Sequence, residues 1–228
     1  MKHRRELAAA YDRVWDAFQR GRTTADGRHD TPYWRSHADP YAVCVIRIDA
    51  GALQPGLDDL RADLDRLNCV RLHPDPFLHI TLQELGFIVD TPTRKDEIST
   101  GRLEEFVQAA VEPIASVDPL TLTLGGANAF QDAVFLEVHG GERLPSLHAR
   151  LFDLAAVPVV PAYPYLPHCT IAHFAGEHPV GPAIDAIAPW RETLFGTVTV
   201  NEVEIVTLDP GQAYPALESY AVIPLGSA

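Results

Sequence analysis

Two stretches of the chain, FLHITLQELGFIV at residues 77–89 and LPHCTIAHF at residues 166–174, carry the same tripeptide pattern, H-x-T, inside an apolar run. The length and composition of both runs are typical of β-strands, and they predict strands over 77–89 and 168–174. Side chains alternate along a strand, so His79 shares a face with Thr81, and His168 shares a face with Thr170. A polar face on such a strand must meet solvent, a ligand or other polar groups. The four residues are therefore predicted to line a site.

The H-x-T strands occupy matching positions in an internal repeat. Each follows a strand and then a helix, and each is followed by a helix and then a strand. The first repeat has predicted strands at 41–48 and 120–124 and predicted helices at 56–67 and 100–115. The second repeat has predicted strands at 133–140 and 197–208. Its first helix is marked by Leu144, Leu147, Leu151 and Leu154, and its short second helix contains Ile184 and Ile187. A last strand is predicted near 217–224. The pattern predicts an α+β fold of two pseudo-symmetric lobes, each an antiparallel-rich sheet with helices on its outer face, whose H-x-T strands face a central cleft.

Residues 1–40 form a separate N-terminal extension. Leu7, Tyr11, Val14 and Phe18 recur at helical spacing, which predicts a helix near 5–19 that packs on the main body. The polar stretch that follows reads as a linker or surface loop. Residues 41–228 are predicted to be one bilobal domain, with lobe-forming repeats at roughly 41–125 and 132–225.

Composition limits the classes of function. The 228 residues are 46% hydrophobic, enough for a sizeable core, and 18 basic against 31 acidic residues give a net charge of -13. That balance argues against a broad basic surface that grips long nucleic acid. No run reaches the roughly 18 to 20 apolar residues of a membrane span, so we expect a cytoplasmic monomer without a membrane partner. Three scattered cysteines without a C-x-x-C pair indicate neither a disulfide framework nor a zinc site, and the two that lie in apolar runs are predicted to be buried thiols.

Two imidazoles on facing strands suit proton transfer at a phosphorus centre. One can act as base and the other as acid, while the two threonine hydroxyls hold the non-bridging phosphate oxygens. This chemistry needs neither a metal nor a cofactor. The histidines at 3, 29, 37, 73, 139, 148 and 178 stand outside the repeated motif and are predicted to lie at the surface.

The two motifs resemble the paired H-x-T signatures of the two-histidine (2H) phosphoesterase superfamily, which includes bacterial RNA 2',3'-cyclic phosphodiesterases, also called 2'-5' RNA ligase-like proteins. The resemblance covers about 41–225, including VNEVEIVTLDPGQAY at 200–214 and LESYAVIPL at 217–225. It implies a metal-free reaction on 2',3'-cyclic phosphates or related 2'-5' linkages, with reverse ligation as a further activity. By position it gives catalytic roles to His79, Thr81, His168 and Thr170, with His168 as base and His79 as acid.

Two positions depart from that family pattern. Many RNA-processing members have Arg or Lys five residues after the second histidine, where this chain has His173, and the equivalent first-half residue is Glu84 rather than an apolar one. A histidine is mostly neutral at pH 7 and attracts phosphate less than an arginine does. His173 is a candidate substrate contact, although strict alternation puts it on the opposite face from His168 unless the strand bulges after Ala172. The expected partner is a small cyclic phosphodiester or a short RNA end.

Two alternatives stay open at this point. The chain could be a non-catalytic module that binds a phosphate or an RNA end in the same cleft. It could also be a hydrolase whose metal is held by His79, His168 and His173. The sequence lacks H-E-x-x-H and any closely spaced set of ligands on one face, which disfavours the metal site.

Overall fold

The apolar strand segments of both repeats pair into one curled sheet. In the computed structural model, residues 2–27, 36–156 and 165–226 are described, and they form five α-helices and ten β-strands. The helices are α1 (Lys2–Arg20), α2 (Gly56–Asp65), α3 (Thr100–Ala115), α4 (Arg143–Ala155) and α5 (Gly181–Ile187). The strands are β1 (Tyr41–Arg47), β2 (Val70–Leu72), β3 (His79–Ile88), β4 (Glu97–Ile98), β5 (Leu120–Ala129), β6 (Ala133–His139), β7 (His168–Phe174), β8 (Leu194–Val200), β9 (Glu202–Leu208) and β10 (Glu218–Pro224).

The sheet places the two H-x-T strands side by side at its centre. The strand order is β10-β9-β1-β3-β7-β6-β5-β8, with β2 paired to β7 and β4 paired to β3. Neighbours on the main path are antiparallel. β5 follows the first H-x-T strand in the chain but pairs with β6, and β9 follows the second but pairs with β1. The strands that flank the central β3–β7 pair on its left and on its right therefore each include strands from both halves of the chain.

Three amphipathic helices cover one face of the sheet. Each contributes a stripe of buried side chains at helical spacing, because only one side of a surface helix can leave water. The stripes pack with the apolar residues of β3 and β7 into one core; they are Leu57, Leu60 and Leu64 of α2, Leu103, Phe106 and Ala110 of α3, and Leu144, Leu147 and Leu151 of α4. The predicted α+β architecture with helices on the outer face is confirmed.

One predicted strand is wrong in its extent. The sequence indicates a continuous strand over 197–208, but the chain breaks at Asn201 into β8 and β9. β8 pairs with β5, and β9 pairs with β1 on the other side of the sheet. The apolar alternation continues through both strands, so the local pattern does not reveal the change of partner. Residues 28–35 of the predicted linker and 157–164 of the proline-rich segment before His168 lie outside the described residues.

Helix α1 confirms the predicted N-terminal helix and ties it to the sheet. Tyr11 and Phe18 are buried, and Phe18 stacks on Phe174 at a centroid distance of 5.9 Å. The Tyr11 hydroxyl accepts a hydrogen bond from Val138 N–H at 3.0 Å and lies 2.5 Å from the carbonyl oxygen of Pro167. Pro167 has no N–H to continue the ladder between β6 and β7, so the Tyr11 hydroxyl bridges the two segments there.

We expect Tyr11→Phe to lower the free energy of unfolding by about 1–3 kcal/mol, because buried backbone groups at Val138 and Pro167 lose their partner. Urea unfolding followed by circular dichroism measures this change. Tyr220→Phe is the matched control, since Tyr220 is 42% exposed. Equal urea midpoints for the two variants would show that the bridge adds nothing to stability.

All three cysteines are buried free thiols, whereas the sequence predicts burial for only two of them. Within the described ranges, no helix combines the length and apolar character that a membrane crossing requires.

Candidate active site

Hydrogen bonding between β3 and β7 brings the four H-x-T residues onto one face of the sheet. Ile80 lies opposite Cys169 in this antiparallel pair, and both side chains are fully buried in the core beneath the helices. The residues on either side of Ile80 and Cys169 therefore point to the other face. We call this the cleft face: the side of the sheet that carries His79, Thr81, His168 and Thr170.

The register also sets the spacing between these side chains. Continued by one residue on each side of the Ile80–Cys169 pair, it places His79 opposite Thr170 and Thr81 opposite His168. Opposite Cβ atoms in such a ladder are about 4.5–5.5 Å apart and diagonal ones about 7–8 Å. The two imidazoles are diagonal neighbours with a hydroxyl beside each. One phosphate group between the rings can therefore contact all four side chains.

The two imidazoles are held in the same way. Nδ1 of His79 lies 2.7 Å from the carbonyl oxygen of Phe77, and Nδ1 of His168 lies 2.8 Å from that of Leu166. A carbonyl oxygen only accepts hydrogen bonds, so Nδ1 is the protonated nitrogen in each ring. Proton exchange with a ligand is therefore left to Nε2 in both histidines.

His168 lies in a more apolar environment than its position on an open face suggests. The rings of Phe130 and Phe135 meet it edge-on at 5.2 and 5.3 Å. Desolvation lowers the pKa of His168 and outweighs the hydrogen bond to Leu166 and the charge of Asp132, which both raise it. The neutral form of this imidazole is therefore favoured near pH 7.

A β-bulge returns His173 to the cleft face. Phe135 pairs with Thr170, but the preceding residue, Val134, pairs with Ala172, so Ile171 is an extra residue in β7. This extra residue reverses the alternation. His173 then lies opposite Ala133 and on the same side of the sheet as His168. The sequence predicts this placement only with a bulge after Ala172, and the structure has the bulge at Ile171 instead.

The imidazole of His173 is engaged by a second histidine. Nδ1 of His173 lies 2.9 Å from Nε2 of His73, and the two residues are only 8% and 3% exposed. The prediction that His73 lies at the surface is wrong, and the same holds for His37, which is buried against Phe87. In both cases a ring from a distant part of the chain covers the histidine: Phe87 lies against His37, and Tyr214 lies against His73. His29 lies outside the described residues.

A second β-bulge, in β3, places Glu84 on the cleft face. Thr81 pairs with Val45 and Gln83 pairs with Cys44, so Leu82 is the extra residue. Glu84 then lies opposite Val43, and its carboxylate is hydrogen-bonded to Tyr41. The two positions that depart from the family pattern, 84 and 173, thus lie on the same face as the H-x-T residues.

Two arginine–glutamate pairs flank the histidines, and neither is predicted from the sequence. Arg47 lies directly opposite His79, and its Nε donates to Glu204 Oε1 at 2.7 Å. Glu137 lies directly opposite His168, and Arg191 Nη1 donates to its Oε1 at 2.5 Å. The available signal was a charged residue inside the apolar first strand of each repeat, YAVCVIR and AVFLEVH.

The arrangement of potential metal ligands does not favour a metal centre. Among the described residues, no three His, Cys, Asp or Glu side chains are placed to hold a metal ion. His79, His168 and His173 share the cleft face, but His79 and His168 turn Nδ1 to backbone carbonyls, and Nδ1 of His173 faces His73.

Comparison with known proteins gives one family and several similar folds. A sequence model of the 2'-5' RNA ligase superfamily matches residues 50–212. No curated protein matches the chain.

Among solved structures, Escherichia coli LigT complexed with NADP+ superposes with a TM-score of 0.62 at 18% identity, covering 83% of this chain and 99% of that one. LigT complexed with 3'-AMP also gives 0.62 at 18% identity, covering 82% and 98%. A Thermus thermophilus protein, TT0787, gives 0.61 at 15% identity with the same coverage. At these identities the likeness shows the fold alone.

Proposed function

This chain belongs to the 2'-5' RNA ligase superfamily of two-histidine phosphoesterases, and on that premise we propose that it is a metal-independent cyclic phosphodiesterase. It opens a 2',3'-cyclic phosphate, or a related small phosphodiester, by general acid–base catalysis. The observation that carries the proposal is the matched pair of imidazoles, each held through Nδ1 with a threonine beside it on the cleft face.

The reaction is an in-line displacement at phosphorus. Nε2 of one histidine takes a proton from water as the water oxygen forms its bond to phosphorus. The bond from phosphorus to one ribose oxygen breaks, and Nε2–H of the other histidine protonates that oxygen. Thr81 and Thr170 stabilise the charge that develops on the non-bridging oxygens. The product is a ribose phosphomonoester. At the end of the step the base histidine is protonated and the acid histidine is neutral.

We assign His168 as the base and His79 as the acid. The base has to be neutral before reaction, and burial beside Phe130 and Phe135 favours neutral His168. Two groups acting together could lower the barrier by roughly 5–11 kcal/mol if their effects were independent.

A small nucleotide substrate suits the charge of the protein. The net charge of -13 disfavours a long polyanion. The solved LigT structures, which share this fold, were determined with small ligands such as 3'-AMP, phosphate and NADP+.

The direct test is a panel of nucleoside 2',3'-cyclic phosphates and short 2'-5' linked oligonucleotides, with products identified by phosphorus NMR. We expect conversion of at least one cyclic phosphate to a monoester. Binding without turnover across the panel would favour a non-catalytic binding module instead.

The pH dependence gives a second test of the mechanism. We expect kcat/KM to follow a bell with both limbs within about pH 5–8.5. The acid limb reports protonation of the base, and because the pKa of His168 is lowered, this limb should lie below the ordinary histidine value of about 6.5. The two apparent values belong to the coupled pair rather than to single residues.

Activity should also survive EDTA, since the proposed step uses only protein side chains. A flat profile over this range, or loss of rate with EDTA and recovery with zinc, would establish the metal hydrolase instead.

A further inference from the structure

The fixed positive charges on the cleft face are not equivalent. Arg47 is bound to Glu204, and Arg191 is bound to Glu137. Each of these guanidinium groups is largely neutralised by its carboxylate before any substrate arrives. An anionic substrate gains more from a cation that has no such partner, because it does not compete with a bound carboxylate.

Arg71 is a cation of that kind at one end of the cleft face. In the ladder between β2 and β7 it lies directly opposite His173. The flanking residues, Val70 and Leu72, pack with the core beneath the helices, so Arg71 points to the opposite side of the sheet with His173. Its side chain is exposed.

The guanidinium of Arg71 has no carboxylate partner in the part of the chain that the structure describes. Its hydrogen bond there is from Nη1 to the carbonyl oxygen of Val70, its own neighbour, at 3.0 Å. No described carboxylate lies within ion-pair distance of it. The backbone is fixed by Tyr214, whose hydroxyl donates to the Arg71 carbonyl oxygen at 3.1 Å.

The separation from the reacting centre indicates what Arg71 can reach. The reacting phosphate is proposed to lie beside Thr170, and Arg71 stands across from the residue three positions further along β7. At about 3.3 Å per residue that is roughly 10 Å between backbone positions, somewhat less because of the bulge. The Arg71 guanidinium lies beside the carbonyl of Val70, which pairs with Phe174, one residue further from Thr170. A phosphate bound to it is therefore a second group, separate from the reacting phosphate.

We propose that Arg71 binds a second, non-reacting phosphate of the substrate. The proposal rests on the cyclic phosphodiesterase function and narrows the substrate class to nucleotides with a phosphate on the 5' side of the reacting ribose. That phosphate is either a 5'-phosphomonoester or the internucleotide link of a short RNA end.

The kinetic test compares three substrates that share one reacting group: a nucleoside 2',3'-cyclic phosphate, its 5'-phosphorylated form, and a dinucleotide that ends in the same cyclic phosphate. We expect kcat/KM of the native enzyme to be about tenfold higher for at least one of the two substrates with a second phosphate. Arg71→Gln should abolish this preference, and Arg71→Lys should retain part of it because the charge remains. Preference for the 5'-phosphorylated form identifies a mononucleotide substrate, and preference for the dinucleotide identifies a short RNA end.

Arg66→Gln is the matched control. Arg66 is also a surface arginine, with 77% of its side chain exposed, but it follows α2 on the other face of the sheet. This variant removes the same charge and should keep the native substrate preference. An equal loss in the two glutamine variants, or no preference in the native enzyme, would overturn the role of Arg71.

A binding measurement separates this inference from the proposed function. Calorimetry with adenosine 3',5'-bisphosphate and adenosine 3'-monophosphate needs no turnover. We expect the bisphosphate to bind about tenfold more tightly, and Arg71→Gln to remove the difference. Equal affinities in the native protein refute the second phosphate site even if cyclic phosphates are hydrolysed. A difference in affinity that depends on Arg71 supports the site even if no cyclic phosphate is hydrolysed.

Discussion

Replacing either His79 or His168 with alanine is expected to lower kcat about 10²- to 10⁴-fold on a cyclic phosphate. Each change removes one of the two proton-transfer groups, and a single general acid or base contributes that much. Both side chains lie on the cleft face rather than in the core, so the fold should survive. Steady-state kinetics gives the loss, and the urea midpoint shows whether folding is intact.

Two further variants make this result specific. His168→Asn can still donate to the Leu166 carbonyl but cannot relay a proton, so it should be as impaired as His168→Ala. His178→Ala removes a partly buried histidine in the loop after β7 and should keep native activity. Wild-type turnover in His79→Ala or His168→Ala would refute the paired-histidine mechanism.

Thr81→Val and Thr170→Val are expected to lower kcat by about 10- to 10³-fold each. A hydroxyl bound to a phosphoryl oxygen is one of several stabilising contacts, and its loss is worth roughly 1–4 kcal/mol in the transition state. Valine keeps the branched shape that suits a strand, so stability should change little.

The serine variants serve as controls for shape. Thr81→Ser and Thr170→Ser keep the hydroxyl and lose only a methyl group, and they should stay within a few-fold of the native enzyme. The expected loss should appear in kcat rather than in KM, because the contact strengthens as charge develops. A double valine variant with native kcat would remove the threonines from the mechanism.

Much of the fold could be predicted from local periodicity. The spacing of Leu103, Phe106, Ala110 and Ile114 defines α3 at 100–115, where the structure places it. The second H-x-T strand is predicted at 168–174 and observed there. Helices and strands of this length repeat their apolar positions at fixed intervals, and this signal lies in neighbouring residues. β2 and β4, with three and two residues, are too short to give such a signal.

Strand partners and bulges could not be predicted in the same way. The change of partner at Asn201, the extra residue Ile171 and the extra residue Leu82 all depend on hydrogen bonds between strands far apart in sequence. An apolar residue at a bulge looks the same in sequence as one in a regular strand. This is why strict alternation placed His173 on the wrong face unless a bulge was assumed.

The sequence by itself determined that a histidine and a threonine share a face on each of two strands, because alternation is a property of the extended backbone. Only the tertiary structure decided that these strands are neighbours, with Ile80 opposite Cys169, and that both imidazoles turn Nε2 away from a backbone carbonyl. It also decided which charges surround them: Arg47 and Glu137 beside the histidines and Arg71 at the end of the cleft face. The reason is that pairing between distant strands is fixed by the packing of the whole sheet and its helices, and no local stretch of sequence contains that information.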